Sequence, residues 1–355
     1  MATFHVPHPQ GSAAGRQLWA LAEALRADGH EVEGWCWGPV RAGLDPPDWC
    51  ESRPYVAKTG WAVRPRTLLR PRADLARAGW RPPEGSVGWA DDWASWPAVD
   101  RGSGGDALLT VHYDVALDAR ALGDRTRRGR PARGWSLPLV QDWRAQRRAV
   151  RRSTCTVALS ERVATSTGVS TVVPATLPMP AAPLPLVDAP VALMFADWSW
   201  PANAAALRQL LDGWADVRDR VAGAELLVAG RGAPDVGAAP GVRVVGEVAQ
   251  TVDAMAQAAV LAFPCPPTSG PKMKVLDALA AGLPVVTTPA GAEGLQVPAA
   301  AVAVGPSSTY VDLLVEVLAD PGRRAAMADM ARGAVLAHHA PAVAARSRVA
   351  ALVRS

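Results

Sequence analysis

Lysine is almost missing from this 355-residue chain: of 37 basic residues only Lys58, Lys272 and Lys274 are lysines. Tyrosine and phenylalanine occur three times each. The four cysteines, Cys36, Cys50, Cys155 and Cys265, are scattered, with no CxxC pair and no histidine at ligand spacing. That excludes a structural zinc and fits a reduced, cytoplasmic setting. No window is long and charge-free enough to span a membrane, and the segment Thr3-Phe4-His5-Val6 has neither a charged leader nor a long apolar run, so no secretory signal is expected. No Asp-x-Asp triplet occurs, Asp91-Asp92 being the nearest approach, so the sequence does not call for a metal to bridge a diphosphate. Charge of either sign is in only small excess, 37 basic against 33 acidic residues, and the arginine-rich stretches Arg125 to Arg133 and Arg144 to Arg152 are local. Nucleic acid is not an expected partner.

What the chain does have is 49% hydrophobic and 20% charged residues over a length sufficient for two ordinary domains. Two of its three lysines stand two residues apart in the run Thr268-Ser269-Gly270-Pro271-Lys272-Met273-Lys274-Val275-Leu276-Asp277. Where nearly every other cation has become arginine, a lysine pair points to compact, strongly hydrated charges, which suit a diphosphate. Ser269 is placed to cap a helix, Pro271 suits its first turn, and the backbone N–H groups there would face an anion before Lys272. The alternative is an amphipathic helix with two solvated cations.

The apolar residues Leu18, Leu21, Ala22 and Leu25 recur at helical spacing up to Gly29, after a short strand and the loop Pro7 to Gly15. This is the first βα unit of a doubly wound sheet, although such loops also occur merely to let helix and strand pack. A second series starts at the apolar strand Val191 to Phe195 and continues with a helix around Ala204 to Val217, and the strands Glu225 to Ala229 and Val242 to Val245. A helix from Thr251 to Ala259, the strand Val260 to Phe263, the lysine-pair helix and the strand Pro284 to Thr287 complete it. The alternation predicts parallel sheets with helices on both faces. Between the series, Pro174 to Pro185 is too proline-dense for helix or central strand and reads as a semi-rigid linker. The expected organisation is an α/β domain over 1–175, a linker over 176–187, a second α/β domain over 188–335, and a C-terminal helix over 336–355 that returns to the first domain. A ligand cleft between the domains is expected.

Together these blocks resemble the group 1 glycosyltransferases, the retaining family four of the GT-B fold. The closest stretch is Lys272 to Leu295, KMKVLDALAAGLPVVTTPAGAEGL, with further likeness at Phe195 to Leu211, Glu225 to Arg231, Val242 to Val248 and Gln146 to Pro174. The resemblance implies two Rossmann-like domains facing across a cleft, and a nucleoside-diphosphate sugar held mostly by the second. It puts Lys272, Lys274, Ser269 and Gly270 on the diphosphate, and the first domain's loop from Gly11 to Gly15 against the diphosphate or the acceptor. Arg231, Gly246 and Val248 fall in the base region, and Asp277 on the ribose at the second position of the E-x7-E pattern, whose first position is Ser269. The chain departs from the family at both positions, and again at Asp197-Trp198-Ser199-Trp200, where basic residues often follow the strand. Trp198 and Trp200 either line the cleft or pack in the core. His112, just past the strand Ala107 to Val111, matches a histidine beside the transferring sugar and is the candidate catalytic residue. His5 and His8 are candidate loop contacts.

Transfer by same-face attack, with the departing phosphate taking the acceptor's proton, needs no protein base and no cofactor or metal. The acceptor is expected to be a hydroxyl on a small molecule, such as a specialised metabolite of natural-product biosynthesis, or on a glycan. Eleven of the fourteen tryptophans precede residue 150 and either stack on flat or sugar surfaces or build the core. Acceptor choice is expected in Gly38 to Gly105, where the likeness to the family is weakest. The alternative functions are a non-catalytic sugar-nucleotide-binding partner and, further off, an epimerase or phosphorylase of the same fold.

Overall fold

The computed structural model describes residues 1–3, 5–36, 43–52, 85–93, 95–100, 106–126, 137–237 and 239–355. Most of the stretch expected to choose the acceptor, and most of the arginine run at 125–133, lie outside the described residues. The chain divides into two compact units, 1–178 with 341–355, and 179–340.

The first unit holds strands β1 (Ala2–Thr3), β2 (Gly34–Cys36), β3 (Cys50–Ser52), β4 (Gly88–Ala90), β5 (Ala107–Val111), β6 (Cys155–Ala158) and β7 (Thr171–Val172). They form one parallel sheet in the order β3-β2-β1-β4-β5-β6-β7. Its helices are α1 (Ala13–Ala27), α2 (Trp96–Val99), α3 (Val115–Thr126), α4 (Leu137–Arg152), α5 (Glu161–Thr167) and the C-terminal helix, Pro341–Arg354. Every residue of β5 is buried, as a parallel strand covered by helices on both faces must be. Trp35, Trp49, Trp89, Trp93 and Trp96 are all buried, and half-buried Trp19 and Trp143 pack against the core, so the described tryptophans of this region build core.

In the second unit, strands β8 (Val191–Phe195), β9 (Glu225–Ala229), β10 (Val242–Gly246), β11 (Val260–Phe263), β12 (Val285–Thr287) and β13 (Ala303–Val304) form a parallel sheet ordered β10-β9-β8-β11-β12-β13. Its helices are α6 (Pro201–Asp212), α7 (Trp214–Arg220), α8 (Thr251–Met255), α9 (Met273–Ala280), α10 (Tyr310–Ala319) and α11 (Pro321–His338). The single helix expected up to Val217 is broken at Gly213, where an added Cβ would lie 2.5 Å from Val311 Cγ2. Both sheets begin in the middle, fill one side, and then return beside the first strand. Each therefore has a topological switch point, at β1/β4 and at β8/β11, where ligands of such sheets bind at the strands' C-terminal ends.

The proline-dense stretch is held at both ends rather than free. Thr176 N–H donates to Gln17 Oε1 at 3.4 Å, and Arg348 Nη1 to Pro174 O at 3.1 Å. Farther along, Arg332 Nη2 donates to Pro180 O at 3.1 Å, Arg324 Nη2 to Asp188 O at 3.1 Å, and Leu184 N–H to Ala281 O at 2.8 Å. A segment that gives up amide donors to proline still has carbonyls, and arginines satisfy them.

Gly15 shows the packing role of the first glycine loop. Ser12 caps α1 by accepting from Gly15 N–H, and a Cβ on Gly15 would stand 2.2 Å from Val6 O, which is backbone and cannot swing away. Gly15→Ala is expected to lower stability by about 1 to 3 kcal/mol, read as a fall in Tm. An unchanged melting curve would show that α1 can move off the Val6 backbone freely.

Candidate active site

The loop that leaves β11 at the second switch point runs from Pro264 to Lys272 and contains four prolines. Cys265, Thr268 and Ser269 on it are buried. Its carbonyls are held from β12 and the turn beyond: Thr287 Oγ1 donates to Phe263 O at 2.7 Å and Thr288 Oγ1 to Cys265 O at 2.6 Å. Glu293 Oε1 accepts from Gly270 N–H at 2.8 Å. This explains why the run KMKVLDALAAGLPVVTT and the following PAGAEGL belong together, since the second clamps the loop that precedes the first.

One expectation changes here. Ser269 does not cap the lysine-pair helix: α9 starts at Met273, its N-cap is Lys272, and Gly270 at φ 77° turns the chain before it. Asp277 stands in the second turn of α9, half-buried. Gly270, expected at the diphosphate, and Gly15, expected there or at the acceptor, have their N–H groups bonded to Glu293 and Ser12.

The two lysines are held differently. Lys272 Nζ folds back on its own loop, donating to Ser269 O at 3.0 Å, to Thr268 O at 3.4 Å and to Gly270 O. Lys274 Nζ donates to Asn203 Oδ1 at 2.6 Å and lies 4.1 Å above the centre of the Phe263 ring. Burial pulls its pKa down to about 7, with Lys272 adding to the fall and Cys265 and Asp197 opposing it. Asn203 is buried on α6, and its Nδ2 donates to Asp197 O at 2.7 Å.

Asp197 follows β8 where a cation was expected from the resemblance. It pairs with Arg231, which follows β9, and accepts from Ser199 Oγ at 2.6 Å and Ser199 N–H at 3.1 Å. Burial works against its charge, but Ser199 and Arg231 outweigh it and hold the carboxyl below its ordinary pKa. Gly246 closes β10 beside them: Gly230 N–H donates to Gly246 O at 2.7 Å, and half-buried Val248 lies two residues on. Arg231 and Gly246 thus share one end of the sheet. Trp198 is core, its Nε1 donating to Ala229 O at 3.0 Å, whereas Trp200 is exposed.

At the first unit's switch point, β4 ends into Asp91, 1% exposed, and β5 into half-buried His112. His112 Nε2 lies 3.3 Å from Asp91 Oδ1. Burial acts to discharge the imidazole, but Asp91, and Asp92 behind it, outweigh it and raise its pKa above the ordinary histidine value. His5 lies close by, its Nδ1 3.1 Å from Ser12 Oγ, and burial lowers its pKa against the pull of Asp92 and Asp91. Gly11 closes the loop, donating to His8 O at 3.0 Å, and His8 Nδ1 accepts from Gln10 N–H at 3.1 Å.

Reading the sequence missed Asn203, Glu293 and the Asp91 role beside His112. Asn203 lay inside a block quoted for its likeness, three residues past Trp200, and a polar side chain on the buried face of a helix beginning at a sheet edge was the available signal. Among the described residues no three His, Cys, Asp or Glu side chains stand together so as to hold a metal, and no helix is long and apolar enough to cross a membrane.

Residues 189–320 match the family described as "Glycosyl transferases group 1". No curated protein matches the chain in sequence. Among solved structures the chain is similar to sucrose-phosphate synthase from Thermosynechococcus elongatus, at 16% identity and TM-score 0.69, over 99% of this chain and 95% of that one. Anabaena HepE in complex with UDP and glucose aligns at 13% identity and TM-score 0.66, over 97% and 96%. WaaG, a glycosyltransferase involved in lipopolysaccharide biosynthesis, aligns at 16% and 0.59, over 96% and 95%. At such identities the likeness establishes the fold, GT-B with two Rossmann-like units.

The Asp91–His112 pair yields a direct test. Asp91→Asn leaves burial opposed mainly by Asp92, so the His112 pKa should fall, as followed by imidazole resonances through a pH titration. A folded variant whose His112 titrates where the parent's does would show that Asp91 does not hold the ring's charge.

Proposed function

We propose that this chain, whose second unit belongs to the group 1 glycosyltransferases, moves a sugar from a nucleoside-diphosphate sugar to a hydroxyl acceptor with retention at the anomeric carbon. The observation that carries the reading is the lysine pair at the β8/β11 switch point, where among the described residues both ammonium groups are bonded only to neutral oxygens. Their charge is thus not cancelled by a bonded carboxylate, and a diphosphate would cancel it. Lys274 meets the phosphates directly, and Lys272 stiffens the loop and adds to the local field. Asp277, one turn along α9, takes the ribose hydroxyls, and the Arg231–Gly246 end of the sheet with Val248 receives the base. Transfer runs without a metal in this reading, because the lysines supply the charge that a cation would.

In the chemical step the bond from the anomeric carbon to the leaving phosphate oxygen breaks as the bond to the acceptor oxygen forms on the same face. The acceptor's proton passes to that phosphate oxygen. No protein base enters. His112, which Asp91 and Asp92 keep prone to protonation, donates a hydrogen bond to a hydroxyl of the transferring sugar. The acceptor is a small-molecule or glycan hydroxyl. The reading as a binding protein without turnover draws on Ser269 and Asp277 in place of two glutamates and on Asp197 in place of a cation, and turnover separates the two.

Thermal shifts with uridine, thymidine, guanosine and adenosine diphosphates in EDTA should single out one base. With that nucleotide, Lys274→Ala is expected to lose about 1.5 to 3 kcal/mol of affinity. The sign of its pH dependence follows from the lowered pKa. A bound diphosphate favours the ammonium, so binding takes up a proton, and affinity holds below a pH of about 7 and weakens as pH rises through it. Lys274→Arg stays charged and lacks that decline, which separates it from the phosphate's own ionisation. Unchanged affinity in Lys274→Ala at every pH sinks the phosphate site.

His112→Ala should cut single-turnover transfer strongly and leave nucleoside diphosphate affinity almost as it was, since its contact is made to the sugar as it transfers. A near-normal rate in a stable variant removes His112 from the site.

A further inference from the structure

We infer that Asn203 is a positioning residue, holding the Lys274 ammonium at the mouth of the β8/β11 switch point by an acceptor that carries no charge. The assignment to a diphosphate site rests on the function proposed above, but the hold on Lys274 does not. Asn203 sits at the third position of α6, 8% exposed, and reaches two segments that meet only in the folded chain. The carbonyl of Asp197 can only accept and the ammonium of Lys274 can only donate. The Asn203 amide therefore has one orientation, Nδ2 on Asp197 O at 2.7 Å and Oδ1 on Lys274 Nζ at 2.6 Å.

The choice of an amide matters because of what else faces Lys274. Lys272 precedes it on the loop, Cys265 is buried below, Asp197 stands past β8, and the Phe263 ring lies beneath the ammonium. A carboxylate at 203 would form an ion pair and cancel the charge an anion needs. An apolar side chain would leave the ammonium without an acceptor in a half-buried place and push it toward the neutral amine. Asn lies between these: it favours the charged form by a hydrogen bond and leaves the net charge at one. It also ties the arm between β8 and α6 to α9, so that the Lys274 position depends on the Asp197 backbone.

With three lysines in the chain, the Lys274 side chain can be followed by NMR of selectively labelled lysine. In Asn203→Ala the Lys274 titration should move to lower pH, and in Asn203→Asp to higher pH. Inorganic pyrophosphate, which carries no base or sugar, is the binding probe. It should bind about tenfold more weakly to Asn203→Ala at pH 8, the loss expected of one charge-assisted contact, and more weakly to Asn203→Asp at every pH. A residue needed only for folding would lower Tm in both variants and would not move the titration in opposite directions. If Lys274 titrates in both folded variants where it does in the parent, the inference is wrong. If the titrations move as expected while pyrophosphate binds equally to the parent and to Lys274→Ala, the hold of Asn203 stands and the phosphate reading falls.

Discussion

Between Phe263 and Met273 the backbone has many carbonyls to satisfy and few amides to do it with. Four of the nine residues from Pro264 to Lys272 are prolines, which bring acceptors and no donors, and Cys265, Thr268 and Ser269 are buried away from water. Each carbonyl left unmet inside a protein costs about 1 to 3 kcal/mol. Donors come from neighbouring segments: the hydroxyls of Thr287 and Thr288 take the carbonyls of Phe263 and Cys265, and the Lys272 ammonium takes those of Thr268, Ser269 and Gly270. The loop's shape, and with it the start of α9 and the place of Lys274, follows from this pairing.

The same constraint accounts for a lysine at position 272 of an arginine-rich chain. An ammonium has three donors spread around one point, which matches three carbonyls converging from one tight turn; a planar guanidinium suits acceptors spaced along a strand. The proline-dense stretch from Pro174 to Asp188 is of that second kind, and arginines serve it, with Arg348, Arg332 and Arg324 donating to its carbonyls. One need, donors for a proline-rich backbone, is thus met by two side chains according to the geometry of the carbonyls.

Much of the architecture was legible because buried parallel strands leave long apolar runs and because caps and glycines punctuate them. Val191 to Phe195, Glu225 to Ala229 and Val260 to Phe263 are strands with the expected bounds, and the helical C-terminal segment is broken at the expected Pro341. Helix starts were harder. Pro271 and Ser269 read as a first turn and its cap, yet the carbonyl demand of the loop draws both into irregular backbone and delays the helix to Met273. The partners at the site were the least legible. Asn203 and Lys274 are 71 residues apart, Asp91 and His112 are 21 apart, and Gly270 and Glu293 are 23 apart. No periodicity links such pairs; only the strand order brings them together.

The two switch points differ electrostatically in what holds each cation. In the second unit Arg231 is paired with the Asp197 carboxylate, so this arginine carries little net field toward a ligand, although its place in the chain made it a candidate. Lys272 and Lys274 are bonded to carbonyls and an amide, which orient the ammonium groups without neutralising them. In the first unit the His112 ring lies 3.3 Å from the Asp91 carboxylate, which also faces the buried Arg348 guanidinium, so positive charge there is compensated by a carboxylate. An anion therefore meets positive charge without a bonded carboxylate at the lysine edge, and charge already paired at the histidine edge.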